Sequence, residues 1–95
     1  ALRAPALADE IARLDAVRRL LASGQGSAAL RALQGYAHEH PAGSLRQEAE
    51  LLRIEAWQRA GQPARARALA ARFLADNPDS PHAQRVRELS QRNAR

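Results

Sequence analysis

The apolar residues of segment 44–60 fall on two opposite sides of one predicted helix. With about 100° of rotation per residue, each set recurs at the spacing of three or four positions that marks a helical face. A helix at the edge of a domain needs only one apolar face, so this pattern predicts a central helix with neighbours on both sides. One side carries Leu45, Ala49, Leu52, Ala56 and Ala60, and the other carries Leu51, Ile54 and Trp57.

Helical spacing before and after this segment predicts five helices in all. Ser27, Ser44 and Ser80 stand where helix N-caps are expected, and Gln47 has the spacing of a capping box with Ser44. Pro63 suits the first position of a helix, because the N–H that proline lacks would be unpaired there. The predicted helices cover about 7–23, 27–40, 44–60, 63–77 and 80–91.

The breaks between these helices recur at an offset of 37 residues, which separates Gly24 from Gly61 and Pro41 from Pro78. The same offset relates Leu20 to Trp57, and we expect Trp57 to pack between the two repeats. A pair of helices that repeats with a period of about 35 residues is typical of an α-solenoid, in which each hairpin buries its apolar faces against the next.

The predicted fold class is therefore all-α: a short α-solenoid of two helical hairpins followed by a C-terminal capping helix. We expect one domain over 7–92, preceded by a lead-in (1–6) and followed by a tail (93–95). Ala83, Val86 and Leu89 form the one apolar stripe of the last helix, as a capping helix requires. Repeat one covers about 7–41, repeat two about 44–78 and the capping helix about 80–91.

Composition narrows the classes of function. The chain has no cysteine, which excludes disulfides and cysteine-based zinc sites. Its net charge is +5, and all of its basic residues are arginine. Residues 80–95 hold four arginines against one glutamate. The rest of the chain is close to neutral, so we rank nucleic acid below protein as a partner. No segment reaches 18 apolar residues, and we expect no transmembrane segment within this chain.

The candidate chemical groups do not converge in the way that catalysis or metal binding requires. His38 and His40 point about 200° apart on a helix, so we interpret them as solvated residues at a helix end. The adjacent pair Asp9 and Glu10 fits the solvated flank of a helix, as do Glu48 and Glu50. With no nucleophile beside a base, the chain is predicted not to be an enzyme and to hold neither a metal nor a cofactor.

The small residues at the breaks carry a resemblance to a known family. A turn glycine, an alanine five positions later and a proline twelve beyond that occur as Gly61, Ala66 and Pro78, and again as Gly24, Ala29 and Pro41. In these positions the chain resembles the tetratricopeptide repeat family. The spacing of Pro78, Ser80 and Ala83 is similar to that of envelope-associated bacterial members, which favours the periplasm or cell envelope over the cytoplasm.

The resemblance implies a protein–protein interaction module, one domain of a larger bacterial envelope or regulatory protein, whose concave groove binds a peptide or helix of a partner. The first helix of each repeat lines that groove in the family. Carried over to this sequence, the groove residues are Ile11, Leu14, Arg18, Leu21, Glu48, Leu51, Glu55, Gln58 and Arg59.

Two alternatives remain open. The first is an arginine-rich module that contacts nucleic acid or an acidic membrane surface through a ridge at the C-terminal end. Arg65 and Arg72 share a helix face at this ridge, and so do Arg85 and Arg92, which we place on the far side of the last helix from the groove. The second is self-association to a homo-oligomer, since a short solenoid with an exposed apolar end can stack on a copy of itself.

Overall fold

The computed structural model describes residues 3–93, with side chains for 6–91, and the regular structure in that part of the chain is entirely helical. This confirms the all-α fold class. The first helix starts at Arg3, inside the expected lead-in, and Pro5 in its first turn removes an N–H that needs no helical partner. The helices are α1 (Arg3–Ala22), α2 (Gly26–Glu39), α3 (Arg46–Arg59), α4 (Pro63–Asp76) and α5 (Ala83–Asn93).

The helices form two layers with α3 at the centre. Each helix packs against the next one in the chain, and α3 also contacts α1 and α5. The first layer is therefore α1, α3 and α5, and the second is α2 and α4. Between residues 3 and 93, no Cα atom of α2 lies within 8 Å of a Cα atom of α4, so the second layer contains a gap with α3 beneath it.

The two apolar sides of α3 pack into two different hydrophobic clusters, as the pattern predicts. Ala49, Leu52 and Ala56 join the cluster formed with α1 and α2, whereas Ile54 is fully buried in the cluster formed with α4 and α5. The expected position of Trp57 between the repeats is wrong. Its half-buried side chain packs against the second cluster, because it shares the side of α3 that carries Ile54.

The turns confirm the offset of 37 residues. Gly24 and Gly61 both have φ near +77°, with values of 76° and 78°, a left-handed conformation that glycine adopts without a steric penalty. The N–H of Gln25 donates to the carbonyl of Leu20 at 2.8 Å, and Gln62 makes the equivalent bond at 2.9 Å. Both turns are Schellman motifs, which satisfy the last carbonyls of α1 and α3 in the same way.

Two of the three predicted serine caps, Ser27 and Ser44, are wrong, because the N-cap positions of α2 and α3 hold Gln25 and Leu45, neither of which caps its helix through its side chain. Ser80 does act as a cap: its hydroxyl accepts a hydrogen bond from the N–H of His82 at 3.1 Å in the turn before α5. Gln47 does not form a capping box. Its Oε1 instead accepts a hydrogen bond from the hydroxyl of Ser80 at 2.5 Å, and this bond ties α3 to the loop before α5.

Glu10 is buried, with 3% of its surface exposed, so the prediction that it lies on a solvated flank is also wrong. Its Oε1 accepts hydrogen bonds from the hydroxyl of Tyr36 at 2.7 Å and from the N–H of Leu45 at 3.1 Å. Burial alone would raise the pKa of Glu10, but the bonds from Tyr36 and from the backbone of Leu45 and Ser44 outweigh it and hold that pKa below its usual value. One carboxylate of α1 thus fastens the end of α2 and the loop before α3.

The loop residue beside this carboxylate is Gly43. A Cβ atom built there would collide with Oε1 of Glu10 and would lie 2.6 Å from the hydroxyl of Tyr36. Close packing against these two side chains therefore favours glycine at position 43. In repeat two the equivalents of Glu10 and Gly43, 37 residues later, are Gln47 and Ser80, and they bond directly.

Gly43→Ala tests this packing. We expect it to lower the free energy of unfolding by about 2–3 kcal/mol, because the added methyl group must displace a buried hydrogen-bonded carboxylate. The matched control is Gly35→Ala in α2, where the new Cβ would meet only the end of Arg13 at 3.6 Å and where alanine favours the helix by about 0.5–1 kcal/mol. Urea melts that show equal losses for the two variants would contradict this packing.

Glu10→Gln tests the charge at the same place. A carboxylate whose folded pKa is depressed stabilises the fold above its unfolded pKa and loses that contribution as the pH falls through the folded value. We therefore expect the free energy of unfolding of the native chain to fall below about pH 4.5, with a shallower fall in Glu10→Gln. The free energy of unfolding would be measured by denaturant melts from pH 6 to pH 3. If it fell equally with pH in the two proteins, the charge of Glu10 would contribute nothing to stability.

Candidate partner-binding site

Three of the four charged residues predicted for the groove, Arg18, Glu48 and Glu55, form ion pairs on the surface of the first layer. We call this surface, which carries Ile11, Arg18, Glu48, Glu55 and Arg85, the front face. A guanidinium nitrogen of Arg18 in α1 lies 2.9 Å from a carboxylate oxygen of Glu48 in α3. A carboxylate oxygen of Glu55 in α3 lies 3.3 Å from a guanidinium nitrogen of Arg85 in α5. These ion pairs link the three helices across the face.

The two ion pairs occupy equivalent positions with opposite polarity. An offset of 37 residues takes Arg18 to Glu55, and it takes Glu48 to Arg85. The repeat geometry therefore brings the same two positions together at both helix junctions, with arginine first in one pair and glutamate first in the other. Arg18 also contacts Asp15 of its own helix at 2.8 Å.

The prediction that apolar residues line the groove is wrong for most of them. Leu14 is fully buried and Leu21 is 3% exposed, both in the first hydrophobic cluster, because they lie on the side of α1 that packs inward. Leu51 is half-buried against the second cluster. Only Ile11 is exposed, at 46%, and Leu7, which sequence reasoning missed, lies one turn earlier in α1 at 40%.

Two of the polar groove residues differ in their roles. The side-chain amide of Gln58 donates to the carbonyl of Leu89 at 3.0 Å, so it holds α5 against α3. Arg59 lies exposed at the end of α3. The front face therefore offers exposed apolar side chains at α1 and charged pairs at its centre.

The predicted basic ridge does not form one surface. The guanidinium of Arg65 lies over the ring of Trp57, 4.9 Å from its centroid, while Arg72 lines the gap between α2 and α4. Arg85 belongs to the front face, where it pairs with Glu55, so its expected position away from the groove residues is wrong. The side chain of Arg92 lies outside the described residues.

A second concavity lies in the gap of the second layer. We call it the back groove; its volume is about 400 Å³, its floor is α3, and its walls are α4 and the end of α2. Its charged lining includes two arginines that sequence reasoning missed, Arg46 and Arg53. The signal was present, since Arg46, Glu50 and Arg53 form a charged helical stripe along α3 between its two apolar sides.

The prediction that both histidines are solvated is correct for only one of them. His38 is exposed, but a ring nitrogen of His40 lies 2.7 Å from a carboxylate oxygen of Asp9, which also binds Arg13 at 2.8 Å. These two partners hold the pKa of Asp9 below its usual value, chiefly through the bond to His40. Within the described chain, no three histidine, aspartate or glutamate side chains gather as a metal site would require.

None of the helices in residues 3–93 combines the length and the apolarity that crossing a bilayer requires. The chain matches no model of a known protein family, and the comparisons with curated proteins and with solved structures found no match.

A double-mutant cycle on Arg18 and Glu48 measures the interaction energy of this ion pair. Both side chains are about one-third exposed or more, at 41% and 32%, so we expect a coupling energy of at most about 1 kcal/mol that falls as salt is added. The variants are Arg18→Ala, Glu48→Ala and both together, compared in urea melts. A coupling above about 2 kcal/mol would mean that the pair is a fixed part of the fold.

Proposed function

We propose that this chain is a non-catalytic protein–protein interaction module that binds a peptide or helix of a partner protein on its front face. The proposal is supported by the helical repeat-like fold and by the family resemblance of its turn residues. It places this chain among tetratricopeptide-like modules of larger bacterial proteins, in the periplasm or cell envelope. That location rests on the resemblance alone.

The observation that carries the proposal is the exposed pair Leu7 and Ile11, which precede Arg18 of the Arg18–Glu48 ion pair on α1. Among the described side chains, these two are the large apolar ones that are most exposed to water. They share a stripe of α1 with Arg18, so an apolar side chain of a partner can cover them while its charged neighbours meet Arg18 or Glu48. Because the ion pair is partly exposed and weak, exchanging it for a pair with the partner costs little.

Self-association is the second candidate function, and the same exposed pair supports it. A second copy that covers Leu7 and Ile11 would bury the same surface as a partner helix does. The nucleic-acid and membrane alternative has less support, because Arg65, Arg72 and Arg85 do not share one surface.

Peptide selection tests the proposal without knowledge of the native partner. Peptides from a randomised library would be selected on the whole chain, and we expect binders in which an apolar residue is flanked by charged ones. Ile11→Asp should weaken those binders by at least about tenfold, since it places a charge at the apolar contact. Circular dichroism should be unchanged, because Ile11 is exposed.

The matched control is Ala71→Asp, which adds the same charge at an exposed position of α4, in the other layer. Binders that tolerate Ile11→Asp but fail with Ala71→Asp would overturn the front-face assignment. Sedimentation analysis separates the second candidate: a native dimer that Ile11→Asp converts to a monomer would assign this surface to self-association.

A further inference from the structure

The back groove is lined by charged residues from two helices that run antiparallel. Positions 46, 50 and 53 of α3 supply Arg46, Glu50 and Arg53, and α4 supplies Arg72 and Asp76. Arg53 is half-buried and the other four are exposed. Because α2 and α4 do not meet, these side chains face an open channel above α3.

The guanidinium groups of the three arginines in the groove have no partner within the described chain: they form no ion pair and no hydrogen bond there. Other arginines, such as Arg31 on α2, are also unpaired, but only Arg46, Arg53 and Arg72 line this one concavity. A guanidinium presents five N–H donors in a rigid fork that matches a carboxylate. Three such forks around one channel can hydrogen-bond to the carboxylates of an anionic ligand.

Apolar surface accompanies these charges. The half-buried side chain of Leu69 lines the groove together with the buried side chains of Ile54 and Phe73. A ligand that fills this volume therefore needs apolar groups as well as negative charge. An acidic peptide with apolar residues between its carboxylates has both.

The charges also discriminate between classes of partner. The chain carries +5 overall, so a second copy of it would be repelled from an arginine-rich groove. Glu50 and Asp76 lie in the same groove and would repel a continuous polyphosphate backbone. A peptide can place separate carboxylates on the arginines and keep uncharged residues beside Glu50 and Asp76.

We propose that the back groove is a second binding site, distinct from the front face, for an acidic peptide segment of a partner protein. Arg46 and Arg53 are seven residues apart, which is about 10 Å along α3. Three residues of a polyproline II segment span about 9 Å, and its three residues per turn bring the side chain back to the same side. The geometry thus favours a polyproline II segment in which every third residue is aspartate or glutamate, with leucine-like residues between.

The probe is a fluorescein-labelled peptide of twelve residues, with glutamate at every third position and leucine at the positions between the glutamates. We expect saturable binding to the whole chain below about 100 μM at 0.1 M salt, measured by fluorescence anisotropy. The triple variant Arg46→Gln, Arg53→Gln and Arg72→Gln should weaken it by at least about tenfold. A peptide of the same composition with its glutamates adjacent should bind more weakly.

Two controls separate this site from general charge attraction and from the front face. Arg19→Gln, Arg31→Gln and Arg87→Gln together remove the same charge from exposed positions outside the groove and should leave binding unchanged. Ile11→Asp should also leave it unchanged, so failure of the front-face proposal and failure of this one are distinguishable. Thermal melts check that each variant folds, and a peptide with lysine in place of glutamate should not bind to the native chain.

Four results would overturn the proposal. Equal losses in the two triple variants would show attraction by net charge alone, and loss in Ile11→Asp would place the peptide on the front face. Stronger competition by single-stranded DNA of equal charge, or by phosphatidylglycerol vesicles, would assign the arginines to another class of partner. No saturable binding up to about 1 mM would leave the groove without an acidic peptide as its ligand.

Discussion

Burial of α3 on two sides is the constraint on which the rest of the structure depends. Each leucine or isoleucine side chain that is removed from water stabilises the fold by about 1.5–3 kcal/mol, whereas a partly exposed ion pair contributes about 0–1 kcal/mol. The two clusters on α3 therefore decide where α1, α2, α4 and α5 lie. The front-face ion pairs form because the packing of α1, α3 and α5 has already brought their positions together.

Between the repeats, the loops depend on polar side chains that the first helix of each hairpin supplies from inside. Glu10 accepts bonds from Tyr36 and Leu45, and its equivalent Gln47 accepts one from Ser80. A hydrogen-bond donor that is removed from water is costly to leave unpaired, and these acceptors satisfy the N–H of Leu45 and the hydroxyls of Tyr36 and Ser80 where the helices pack closely. The preference for glycine at position 43 follows from the same close approach.

The arrangement in two layers also explains why both candidate surfaces involve α3. Each layer leaves one stripe of α3 uncovered: the front face carries Glu48 and Glu55, and the back groove carries Arg46 and Arg53. On the front, neighbouring helices supply the opposite charges. At the back, the gap between α2 and α4 leaves the arginines without partners in the described chain, and this difference makes the back groove the more electrostatically open of the two.

The sequence by itself determined the number and order of the helices, the left-handed glycine turns, the offset of 37 residues and the two apolar sides of α3. These features depend on periodicity and on local backbone preference, which neighbouring residues in the chain already express. Only the tertiary structure decided that Glu10 is buried, that Leu14 is core while Ile11 is exposed, and that Arg85 meets Glu55. Each of these depends on which residue of another helix lies opposite, and helical spacing within one segment holds no information about that neighbour.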